Sequence, residues 1–144
     1  MNEKQRAVFK NPPIDACCAL LKGIKNIAVV GLSPNALRPS HDVSASMQSF
    51  GFRVIPVHPA VQEILGERVY PNLSVVSEKI DLVNVFRSAE FIDEVVEECL
   101  RLKLKNIWIQ EGIVNESAAA RAIAGGMTVV MDRCIYRDYR DYCR

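Results

Sequence analysis

The residues with most capacity for chemistry lie between Ile27 and Ser40. An apolar run ends at Gly31. A loop carrying Ser33, Asn35 and Arg38, and no carboxylate, follows, and Ser40 stands where a helix is expected to begin and to be capped. A buried strand that passes through a glycine into a helix N-terminus aims backbone N–H groups and the positive end of the helix dipole at one point, which makes an anion site. The loop is therefore expected to grip a phosphate-bearing ligand.

The elements that must position this loop follow from hydrophobic periodicity. Continuous apolar runs, suited to strands covered on both faces, place strands at 26–30, 52–57, 81–86, 106–110 and 127–131. Between them lie helical patterns. Val43, Met47 and Phe50 form one stripe of a helix over 40–50. Ile92, Val95, Val96 and Cys99 form the stripe of a helix over 88–102. Asn115 is expected to cap a third, alanine-rich helix. A short helix capped by Asp15 precedes the first strand, and residues 60–79 are less regular. Each connection between strands is long enough for a parallel crossover. The expectation is one doubly wound, Rossmann-like α/β domain with a five-stranded parallel sheet, a loose arm over 1–13 and a polar, solvated tail over 135–144. On such sheets ligands bind beyond the carboxyl ends of the strands, at the topological switch point.

Composition narrows the function. The 144 residues carry 18 basic and 17 acidic side chains and are 49% hydrophobic. A core can form without metal or disulfide, and a net charge of +1 gives no footing for nucleic acid. There is no apolar run of membrane-spanning length and no signal-peptide core, so the expected setting is cytoplasmic. The five cysteines are odd in number and match no zinc spacing, so they are read as reduced thiols, and no metal is expected. Cys134, just past strand five, is read as a buried, inert thiol. His58, a turn residue, is counted with Val57 and Pro59 among the cofactor-binding candidates, and Glu111 is read as a loop acid, so no catalytic residue is assigned.

Three classes of phosphate-bearing ligand could occupy such a loop. A dinucleotide site of the usual kind needs G-x-G-x-x-G and an acid at the end of strand two. Here Gly31 stands alone and Val57, His58 and Pro59 end that strand, which disfavours NAD but leaves NADP open. A P-loop needs a lysine that this loop lacks. The third class, a nucleotide with an extra phosphate and a long tail, describes coenzyme A. Arg38 suits its diphosphate, and Arg53 or Arg87 its ribose phosphate, because the guanidinium fork donates paired hydrogen bonds. Val57, Pro59 and Phe86 are candidate adenine walls.

Segments 27–33, 38–40, 51–59, 63–66, 83–87, 109–113 and 129–134, in this order, resemble the small stand-alone CoA-binding proteins. Those have the fold of the CoA-binding domain of the succinyl-CoA synthetase α subunit. The resemblance covers about residues 24–134, with departures at His58, where many relatives have Asn, and at Ile135, where they have Pro. It implies CoA or an acyl-CoA as ligand, with Gly31, Ser33, Arg38 and Ser40 at the diphosphate and Gln110, Glu111 and Gly112 bordering the cofactor. The leading expectation is a non-catalytic carrier, sensor or regulatory module. The alternatives are an NADP-linked or acyl-CoA-handling enzyme, or a subunit of a larger acyl-CoA enzyme. Oligomeric state and any protein partner are left open.

Overall fold

The computed structural model describes residues 9–144. Five parallel strands form the sheet: β1 (Asn26–Val30), β2 (Arg53–Val57), β5 (Leu82–Val85), β6 (Asn106–Gln110) and β7 (Thr128–Arg133), in the order β2-β1-β5-β6-β7. A two-stranded antiparallel hairpin, β3 (Glu63–Ile64) with β4 (Glu67–Arg68), lies between β2 and β5 in the chain. The helices are α1 (Ile14–Lys22), α2 (Pro39–Ser49), α3 (Ile92–Arg101), α4 (Glu116–Ala124) and α5 (Ile135–Asp138). The doubly wound α/β fold read from the sequence is the observed one. Among the described residues no helix is long and apolar enough to cross a membrane.

Alternate residues of each strand face opposite sides, and the core divides accordingly. Ala28, Val30, Ile55, Val83 and Ile107 pack under α3 and α4, against Val96, Cys99 and Ala119. Ile27, Val29, Val54, Leu82 and Trp108 pack under α1, α2 and the C-terminal segment. Burial of this kind contributes about 25 cal/mol per Å² of apolar surface, which is why the three central strands are mostly apolar, with Asn84 and Gln110 as their buried polar side chains. Burial raises the Cys99 thiol to about 12, with a further push from the neighbouring Glu98 carboxylate, so it stays protonated. Asn115 caps α4 as expected, its Oδ1 accepting from the Ala118 N–H at 3.1 Å.

Four expectations are corrected. Ser40 does not cap α2. Arg38 holds that position with Pro39 first in the helix, where a missing N–H costs nothing. Cys18 and Cys143 form a disulfide across 125 positions, while Cys17, Cys99 and Cys134 are free and buried. The tail is packed. Ile135 and Cys143 are buried, Tyr136 and Tyr139 pack on Phe50, and the buried Asp138 carboxylate pairs with the Arg133 guanidinium through Nε at 2.6 Å and Nη2 at 2.9 Å. The apolar face of a tail rich in charge is thus carried by its tyrosines. The loose arm was expected over 1–13. Its first eight residues lie outside the described residues, but Phe9 packs on the core and Asn11 exchanges two 2.8 Å hydrogen bonds with the Met131 backbone.

At the amino ends of the strands, Asp81 accepts from the backbone N–H of Lys25 at 3.0 Å and of Asn26 at 2.8 Å. Partial burial pushes its pKa up, but those two N–H groups and Lys79 outweigh it and hold the carboxyl below its ordinary value. A depressed carboxylate contributes stability that is complete above its unfolded pKa, about 3.9, and is lost as pH falls through the folded value. Asp81→Asn is therefore expected to cost about 1 kcal/mol at pH 7 and to flatten the acid limb of the stability–pH curve, measured by urea denaturation at stepped pH. Cys143→Ser, or dithiothreitol on the wild type, is expected to lower stability by about 3 kcal/mol, read from the denaturation midpoint.

Candidate functional site

The site begins with strand order. β1 sends the chain one way, through α2 to β2. β5 sends it the other way, through α3 to β6. The carboxyl ends of β1 and β5 are therefore the switch point, where a crevice opens between diverging loops. Gly31 sits there with φ of +85°, and a Cβ on it would lie 2.7 Å from the Phe86 carbonyl oxygen. Only glycine meets both demands, since the left-handed conformation and the contact distance each exclude a side chain.

Two clefts meet over this point and share Gly31, Ser33, Phe86 and Arg87. The smaller, about 640 Å³, runs toward β2 over Val57, His58 and Pro59 and is lined further by Asn72, Glu94, Glu98 and Arg101. The larger, about 1020 Å³, runs toward β6 and α5 over Arg38, Ser40, Gln110, Glu111 and Gly112. Small-molecule pockets hold roughly 300–1,000 Å³, so the joined clefts suit an elongated ligand. Of the site residues expected from sequence, all but Arg53 line this crevice. Arg53 opens β2 at the opposite end of the strand, where its guanidinium is bound to the carboxylates of Glu67 and Glu78. Those two acids raise its pKa, and Arg53 in turn lowers that of Glu78. It is a structural ion pair, remote from the cleft.

The loop after β1 departs from the expected grip. Its N–H groups are largely spent on its own atoms. Ser33 N–H donates to Ser40 Oγ at 2.9 Å, Asn35 N–H to Ser33 Oγ at 3.1 Å, and Leu37 N–H to Asn35 Oδ1 at 2.9 Å. Side chains of this kind replace missing secondary structure and rigidify a loop. What remains for an anion is charge. Arg38 is exposed and Arg87 half-buried with its guanidinium 4.3 Å from the Phe91 ring centre, and among the described residues neither has a carboxylate partner. The chain end adds Arg137 and Arg140 to the larger cleft. Arg137 pairs with Glu111, and Arg140 with Asp141 while stacking on Tyr136.

The polar residues at the floor have structural duties. Asn84, fully buried on β5, donates through Nδ2 to the Trp108 carbonyl at 3.1 Å and to Gln110 Oε1 at 3.3 Å. Gln110 Oε1 also accepts from the Ile135 N–H at 3.4 Å, so two donors fix its amide. Gly112 N–H is held by Asp132 Oδ1 at 2.7 Å, with Asp132 itself at φ of +60° beside the irregular β6–β7 register. His58 Nδ1 accepts from the Ala60 N–H at 3.1 Å and so stabilises its own turn. Sequence reasoning missed Tyr136, Arg137 and Arg140. Their only signal was the run Tyr-Arg-Asp-Tyr-Arg-Asp-Tyr over 136–142, a charged-aromatic repeat that does not say what it packs against.

Residues 25–140 match the family model of the CoA binding domain. The chain belongs to that family. It is 42% identical over 127 residues to the uncharacterized protein YneT of Bacillus subtilis, covering 88% of this chain and 94% of that one. Over 77 residues it is 32% identical to an ADP-forming acetate–CoA ligase of Archaeoglobus fulgidus, covering 54% of this chain and 11% of the ligase. A hypothetical protein from Pyrococcus horikoshii superposes with a TM-score of 0.87 at 28% identity, covering 97% of each chain.

Gly31→Ala is expected to destabilise the CoA-binding domain by about 3 kcal/mol, from left-handed backbone strain plus the clash with Phe86. The denaturation midpoint measures it, against Gly51→Ala, whose added Cβ would meet nothing within 4 Å and which carries the backbone cost alone.

Proposed function

We propose that this protein binds coenzyme A or an acyl-CoA as a non-catalytic carrier, sensor or regulatory module. The observation that carries the reading is the two-lobed crevice at the switch point, with four guanidiniums and one carboxylate along its larger lobe. The length of the crevice and the charge of that lobe suit a long, anionic ligand. Coenzyme A is both, and the family match points the same way.

In this reading the nucleotide lies astride Gly31. The diphosphate meets the N-terminus of α2, Arg38 and Arg87, where the helix dipole and two unpaired cations act together. Val57, Pro59 and Phe86 offer apolar faces to adenine in the smaller lobe. The pantetheine arm runs over Phe86 toward Gln110 and Gly112. A loop already braced by its own side chains loses little entropy on binding, which favours affinity.

Calorimetry with CoA is expected to give one site per chain. Arg38→Gln and Arg87→Gln each weaken it about tenfold, the loss of one charge-assisted contact worth about 1.4 kcal/mol. Arg53→Gln leaves affinity unchanged. NADPH binds much more weakly, and acetyl-CoA incubated with the protein is recovered intact. Heat from NADPH alone, with none from CoA, sinks the reading.

A further inference from the structure

Arg137 and Glu111 meet on the side of the larger lobe formed by β6 and α5. Each is about half exposed, at 48% and 54%, and they form an ion pair between α5 and the turn after β6. Both backbones are held in place. The Glu111 turn is pinned by Gly112 N–H on Asp132, and α5 by buried Ile135 and by the Asp138–Arg133 pair. The pair is therefore a contact between two fixed elements. Among the described residues, Glu111 is the lone carboxylate along a lobe that carries four arginines. Of those, Arg38 and Arg87 have no carboxylate partner among the described residues, and Arg140 is satisfied by Asp141 on its own segment. Among these four, Arg137 is the cation whose carboxylate partner comes from another element.

Exposed ion pairs are weak, worth less than about a tenfold change in an equilibrium constant. A multiply charged ligand can exchange one at little cost. Resting on the reading of the crevice as a CoA site, we propose that Glu111 is a built-in counter-ion of Arg137. An anionic oxygen group of the ligand displaces it, and Arg137 thereby reads that group. Such a device keeps the guanidinium oriented before binding. It also makes a neutral ligand compete with Glu111 for nothing, so selectivity for charge follows. The group is a phosphate of the nucleotide or a carboxylate at the end of an acyl chain, and both use the same paired donors.

Calorimetry at fixed ionic strength on wild type, Glu111→Gln, Arg137→Gln and the double variant tests this. Glu111→Gln is expected to tighten CoA or malonyl-CoA about threefold to fivefold. Arg137→Gln is expected to weaken it about tenfold, and the double variant to match Arg137→Gln. Loss on Arg137→Gln for CoA but not dephospho-CoA assigns the ribose phosphate. Loss shared by both assigns the diphosphate. Loss for malonyl-CoA beyond that for acetyl-CoA assigns an acyl carboxylate. No weakening in Arg137→Gln, or a Glu111→Gln gain that persists in the double variant, overturns the exchange while leaving the CoA site standing. Wild type that binds none of these thioesters or thiols overturns both.

Discussion

The absence of a side chain at position 31 is the constraint on which the rest depends. β1 must leave the sheet within contact of the chain leaving β5, since the Phe86 carbonyl occupies the space a Cβ would need. That closeness lets the two crossovers diverge without opening a hole through the core. The crevice consequently has two lobes that meet over Gly31 and Phe86. It is as much a product of packing Val30 and Val85 side by side as of anything a ligand requires.

A second dependency runs sideways beneath it. Asn84, Gln110 and the Ile135 N–H form a short buried polar chain linking β5, β6 and the start of α5. Polar groups at that depth are costly unless satisfied. Once satisfied they specify geometry that apolar packing leaves loose. The wall carrying Arg137 and Arg140 is thus keyed to the floor of the sheet rather than resting on it.

Strand and helix periodicity made the sheet, its crossovers and the Asn115 cap legible before any coordinates. The alternation placed ligands at the carboxyl ends of the strands, but which two strands flank the switch point is set by strand order. Arg53 was misjudged although the signal existed: a residue opening a parallel strand lies at the end away from the ligand. The self-bonding of the Ser33–Arg38 loop was harder to see. Serine and asparagine there read equally well as donors to a phosphate or as braces for each other. Cys18 with Cys143, and Tyr136 and Tyr139 with Phe50, were not readable. They join residues distant in sequence that no local pattern relates. His58 illustrates a middle case, a turn histidine by sequence whose ring proved to be part of the turn's own bonding.

The Cys18–Cys143 bond also changes the connectivity of the molecule. At a sequence separation of 125, the two cysteines close the whole sheet into a covalent ring. A single cut in any loop between them leaves one molecule, with new ends at the cut. The domain is in that sense already circularised. A tensile load applied at Cys18 and Cys143 passes through sulfur before it reaches any hydrogen bond of the sheet.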